Sequence, residues 1–99
     1  MARTAKETTR DLLAAGVVLA ERIGFTNVTR LNLAEAAAVS PALVSLRLGT
    51  MKQVHRSIMR AAVKGQSLRV IAQGLAVKDP AAMKAPQDLV DRAADSLKG

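Results

Sequence analysis

The sequence predicts an all-α chain: a three-helix core built around a helix-turn-helix, with further helices at the C-terminal end. Three observations predict it. Apolar residues recur at helical spacing along most of the 99 residues, and no stretch alternates as a half-buried strand does. Gly, Pro, Ser and Thr stand where helices start and stop. The length suits one domain with a modest core. Residues 1–65 are expected to carry the helix-turn-helix. Residues 66–99 are expected to add a helical tail to the same compact domain.

After a loose arm over residues 1–5, Leu12, Leu13, Gly16, Leu19 and Ile23 place a first helix over residues 6–23. Gly16 weakens that helix unless another helix packs close to it. Gly24 is a C-terminal stop. Phe25 to Val28 form a connector, and Thr29 is an N-cap for a second helix over residues 30–37. Leu33, Ala34 and Ala37 make its inner face. Ala38 and Val39 make a tight turn. Ser40 and Pro41 then start a third helix, a hydroxyl cap followed by proline at the first helical position, running to Leu48. Leu43 or Val44, together with Leu48, are its candidates for burial. Gly49 breaks the chain and Thr50 caps a fourth helix over residues 51–64, with Val54, Ile58, Ala61 and Ala62 on one face. A fifth helix follows over residues 67–76. Asp79-Pro80 and Pro86 mark restarts, and Leu89, Val90, Ala93, Ala94 and Leu97 give a last helix over residues 87–98.

Composition narrows the chemistry. Phe25 is the only aromatic residue, which disfavours base stacking and therefore an RNA or single-strand binder. Cysteine is absent and His55 is the only histidine, so thiol chemistry and Cys- or His-rich metal sites are excluded. The carboxylates are scattered, no nucleophile motif or phosphate-cradling glycine loop is present, and no enzyme or cofactor is expected. The longest apolar run, Leu12 to Ala20, is too short to cross a bilayer. It continues into an amphipathic helix without a cleavage site, which reads as a cytoplasmic core helix and not as a signal peptide. The sequon Asn27-Val28-Thr29 is then a chance match.

The net charge is +7, and it is unevenly placed. Residues 1–65 hold ten Lys and Arg against four acids, whereas residues 66–99 hold five against four. The first two-thirds has the electrostatics of a polyanion binder. That region also contains two short helices around a turn of small residues, the requirement of a helix-turn-helix. The third helix would project and enter the major groove of double-stranded DNA.

Residues 12–54 resemble the DNA-binding domain of the tetracycline-repressor-like (TetR) family. The resemblance is carried without gaps by LLAAGVVLAERIGF (12–25), VTRLNLAEAAAVS (28–40) and LVSLRLGTMKQV (43–54). It implies a sequence-specific repressor that occupies an operator. It implies that Ser40 opens the DNA-facing helix, that Pro41, Ala42, Leu43, Ser45, Leu46 and Arg47 lie on or near it, and that Thr29 caps the second helix beside a phosphate. The family's usual lysine at the start of the fourth helix is replaced by Met51, with Lys52 adjacent, and its usual tyrosine is replaced by Ser45.

The side chains themselves allow these roles and others. Arg47 suits guanine O6 and N7 together, or a phosphate. Ser45 suits phosphate, base or solvent. Leu46 either meets a thymine methyl or is buried. Arg30 and Asn32 are placed on the exposed side of the second helix, within reach of phosphate or a base edge. Lys52 and Arg56 contribute charge at the DNA backbone or are simply solvated. His55 reads as a partly packed side chain.

Members of the family usually continue into a large ligand-binding domain. Only 34 residues follow Gly65, so no small-molecule inducer is expected. Leu68, Ile71, Leu75, Leu89, Val90 and Leu97 are expected to complete the core and form a homodimer through the C-terminal helices. Two-fold symmetry would double the bases read. The competing reading is a helical protein-interaction module, or one that coats DNA without sequence preference.

Overall fold

The first four helices each begin on a side chain that folds back onto its own backbone. A computed structural model describes residues 4–98. In α1 (Ala5–Ile23), the Thr4 hydroxyl accepts from the Glu7 amide at 3.1 Å while the Glu7 carboxylate accepts from the Thr4 amide. The same reciprocal capping joins Thr29 and Asn32 in α2 (Arg30–Ala37) and Thr50 and Gln53 in α4 (Met51–Lys64). In α3 (Pro41–Leu48) the Ser40 hydroxyl accepts from Leu43, and Pro41 occupies the first turn, where no amide is needed. Each cap satisfies a donor that the helix geometry leaves open. Of the arm expected over residues 1–5, Thr4 is instead a cap and Ala5 is helical; residues 1–3 lie outside the described residues.

Between α1 and α2, a 3-10 turn (Phe25–Asn27) inserts Phe25 into the core. Two further helices and a short turn of helix complete the chain: α5 (Leu68–Ala76), α6 (Pro80–Met83) and α7 (Gln87–Lys98). The Asp79 carboxylate starts α6 by accepting from Ala81 and Ala82. Ser67 precedes α5 without capping it; its hydroxyl donates instead to Glu21 of α1 at 2.8 Å. The described residues are helical with connecting turns and contain no strand.

One core joins α1 through α6. Leu12 and Leu19 of α1, Leu33 of α2, Val44 and Leu48 of α3, and Val54, Ile58 and Met59 of α4 meet there with Val70 of α5. Gly16 makes the crossing of α1 over α4 possible, because a Cβ there would lie 2.9 Å from the Ile58 side chain. A smaller core, Ile71, Ala72, Leu89 and Ala93, holds α7 against α5. Val70 and Ile71 are adjacent in sequence and serve the two cores from different faces of α5. Of the apolar tail residues, Ile71 and Leu89 are buried within the chain, Leu68, Leu75 and Val90 are half-buried, and Leu97 is exposed. Among the described residues no single helix is long and apolar enough to cross a membrane.

Candidate nucleic-acid interface

The chain reverses between α2 and α3 in three residues. Ala38 takes the left-handed conformation at φ 57°, and its amide and that of Val39 donate back to the end of α2. Alanine tolerates this conformation less readily than glycine does, so the turn is held by its hydrogen bonds and by half-buried Val39. Across the break the helix axes turn through 103°. Val44 and Leu48 anchor α3 in the core. Its opposite side is left open: Pro41 and Ala42 are exposed, and Leu46 is 70% exposed. Helical spacing allowed Leu46 to be buried or exposed, and the packing of Val44 and Leu48 selects exposure.

The neighbouring sequence-predicted residues divide into groups. Thr29 and Ser40 are exposed and use a hydroxyl lone pair in capping, which leaves each O–H free to donate outward. Lys52 and Arg56 are exposed on α4. Ser45 is half-buried. Arg47 is half-buried, and its Nε is closed off from solvent without a hydrogen-bond partner.

One placement is corrected. Asn32 does not present its amide outward. Its Oδ1 accepts from the Thr29 amide at 2.7 Å and its Nδ2 donates to the Asn27 carbonyl at 3.1 Å, so both ends are committed to holding the start of α2. Arg30, like Arg47, is half-buried with an enclosed and unpartnered Nε.

The electrostatics extend beyond the residues singled out in the sequence. Lys52, Arg56, Arg60 and Lys64 recur every fourth residue along α4 and all are exposed. At 1.5 Å rise per residue they form a ladder with rungs about 6 Å apart along the axis. Lys6 and Arg10 on α1, with Arg47, Arg60 and Lys64, line a groove of about 1020 Å³ between α1, α3 and α4. None of these cations makes an ion pair with a described residue; an ion pair between described residues, Arg92 with Asp88, lies on α7. No acid occupies the first turn of α2, α3 or α4, so the positive ends of those helix dipoles are not neutralised from within. Lys6, Arg10, Arg60 and Lys64 were missed in the sequence reading. The fourfold spacing on α4 was visible there, but the approach of α1 to α4 was not.

No protein-family model, curated protein or solved structure matches the chain.

Proposed function

We propose that the chain is a regulator that binds double-stranded DNA through a helix-turn-helix formed by α2 and α3, and that it represses by occupying its operator. One observation carries the reading: α3, with an exposed, acid-free face, is set 103° from α2 across a three-residue turn, and its Arg47 shares a groove with Arg60 and Lys64 of the α4 ladder, cations that make no ion pair with a described residue. The angle and turn length are those of helix pairs that seat their second helix in the major groove. Cations beside that helix supply the sequence-independent attraction to phosphate. The unneutralised N-termini of α2 and α3 favour phosphates as well. The resemblance of residues 12–54 to the tetracycline-repressor-like family supports the same assignment. In this reading Thr29, Ser40, Lys52 and Arg56 meet the backbone, Pro41, Ala42, Ser45 and Leu46 face the groove, and Arg47 reads a base or grips a phosphate. The protein acts in the cytoplasm, as a binder and not a catalyst, and as a homodimer. Leu97 on α7 is the large apolar side chain left exposed for such a contact on that helix.

A specific observation favours a second reading, coating of DNA without sequence preference. The exposed face of α3 offers few groups that distinguish bases, while the cations are numerous. Selection of bound fragments from random duplex DNA, followed by mobility shifts with Arg47→Ala, separates the two. Enrichment of a palindrome whose binding is lost in the variant supports the operator reader. Binding without enrichment, weakened uniformly by salt, supports coating. Absence of binding in low salt overturns both.

A further inference from the structure

The groove between α1, α3 and α4 has a floor that a DNA backbone does not require. Leu13, Ala14 and Val17 of α1, Leu46 of α3 and Ala61 of α4 make it largely hydrocarbon. Leu46 is 70% exposed there, a large apolar side chain left in water. Around this floor stand Lys6, Arg10, Arg47, Arg60 and Lys64, and no carboxylate lines the groove. Phosphates would satisfy the cations but gain nothing from the floor. An apolar ligand would cover the floor but leave the cations unused. A second copy of the same groove would bring like charges together.

Arg47 adds an independent sign. Its guanidinium is drawn partly into the protein, its Nε is cut off from water, and no protein acceptor meets that atom. Burial of part of the cation is costly, and an anion in the groove, meeting the guanidinium's remaining N–H groups, would offset that cost.

We propose that this groove binds a free single-chain amphiphilic anion, a fatty carboxylate, with its chain along the apolar floor and its head among the rim cations. The volume of about 1020 Å³ is at the upper end of the range of small-molecule sites. The lined stretch of α1, from Lys6 to Val17, extends about 16 Å at 1.5 Å per residue, a length that a twelve-carbon chain matches. No ligand is expected from the length of the tail, but the groove is built from helix faces of the first 65 residues. Because Leu46 and Arg47 also belong to α3, an occupied groove competes with DNA. That last consequence rests on the DNA-binding reading; the ligand site does not.

The test is a titration of the full chain with dodecanoate below its micellar concentration, followed by calorimetry and by the methyl resonances of Leu13, Val17 and Leu46. One-to-one saturable binding with shifts confined to those methyls is expected. Acetate, which has the head alone, and dodecyltrimethylammonium, which has the tail with opposite charge, are expected not to saturate. Arg47→Gln should weaken dodecanoate by about tenfold or more, the loss of one charged hydrogen-bond partner. Leu46→Asn, at an exposed position that threatens folding little, should also weaken it. Arg22→Gln removes the same charge from α1 at an exposed position outside the groove lining and should bind like the parent. Scattered shifts, equal binding of acetate or of the cationic amphiphile, or equal loss in Arg22→Gln would overturn the proposal. So would groove shifts produced by phosphatidylglycerol vesicles but not by monomeric dodecanoate, since the occupant would then be a lipid surface. A separate mobility shift with and without dodecanoate reads the competition. If the chain binds no DNA, the titration still decides the ligand site; if it binds DNA that saturating dodecanoate fails to release, the coupling is overturned.

Discussion

The His55 imidazole on α4 reaches across to the Val28 carbonyl, with Nε2 at 2.7 Å. A carbonyl only accepts, so this bond requires the proton on Nε2. The ring also forms a T-shaped pair with Phe25, with centroids 6.2 Å apart and planes at 79°. One side chain therefore ties α4 to the residue preceding the Thr29 cap, and so fixes where α2 begins. Substitution His55→Ala should destabilise the fold by roughly 1–2 kcal/mol, the cost of a part-buried hydrogen bond plus lost packing. Denaturant unfolding measures it, and an unchanged midpoint would mean that the contact contributes nothing in solution.

Asn32 provides a second test, because its structural duty and its expected one differ. Asn32→Ala should lower stability by about 1 kcal/mol through loss of the reciprocal cap. DNA affinity, measured where the variant is fully folded, should stay near that of the parent, whereas Arg47→Ala should lose affinity. A large affinity loss in folded Asn32→Ala would restore Asn32 to the DNA-contacting set.

At Gly16 two effects compete. Alanine improves helix propensity by up to about 1 kcal/mol. Its Cβ, however, would press on the fully buried Ile58 at 2.9 Å, and overpacking of a closed core costs about 1–3 kcal/mol. The overpacking should win, and Gly16→Ala should be less stable than the parent. Combining it with Ile58→Val, which removes Cδ1 at 3.0 Å but leaves a γ carbon in place, should recover part of the loss. A more stable single variant would show that α1 and α4 separate easily.

The cation ladder predicts a salt signature. If Lys52 and Arg56 each neutralise a phosphate, Lys52→Gln and Arg56→Gln should each reduce the slope of log affinity against log salt by about 0.9. The loss should be similar for every DNA sequence tested, unlike a loss at a base-reading side chain. A slope that does not move would assign both residues to solvent.

Helix boundaries were legible in the sequence wherever the chemistry that sets them is local. Thr29, Ser40-Pro41, Thr50 and Asp79-Pro80 start helices, and Gly24 and Gly49 follow their ends at φ 91° and 86°, because caps and glycines act on the backbone a few residues away. The exception is Thr4, which falls in the expected arm although Thr4 and Glu7 carry the same local capping-box spacing. The surface was less legible. The exposure of Leu46, the inward use of Asn32 and the convergence of Lys6 and Arg10 with Arg60 and Lys64 all depend on which helix faces meet. Periodicity gives a helix its faces but does not state which neighbour each one will find.

Gln73 of α5 gives the two-core architecture a further meaning. Its carboxamide accepts from the Phe25 amide at 2.8 Å and donates to the Ala20 carbonyl at 3.0 Å, binding the end of α1 and the following turn to the helix on which α7 rests. Force applied at the last helix has a short polar route towards the front of the molecule, through one side chain that grips both strands of a bend. With Val70 in the main core and the Ser67–Glu21 bond, this clasp ties the helix under α7 to the front of the molecule, and whatever grips or displaces the C-terminal helix pulls where α1 gives way to the turn before α2.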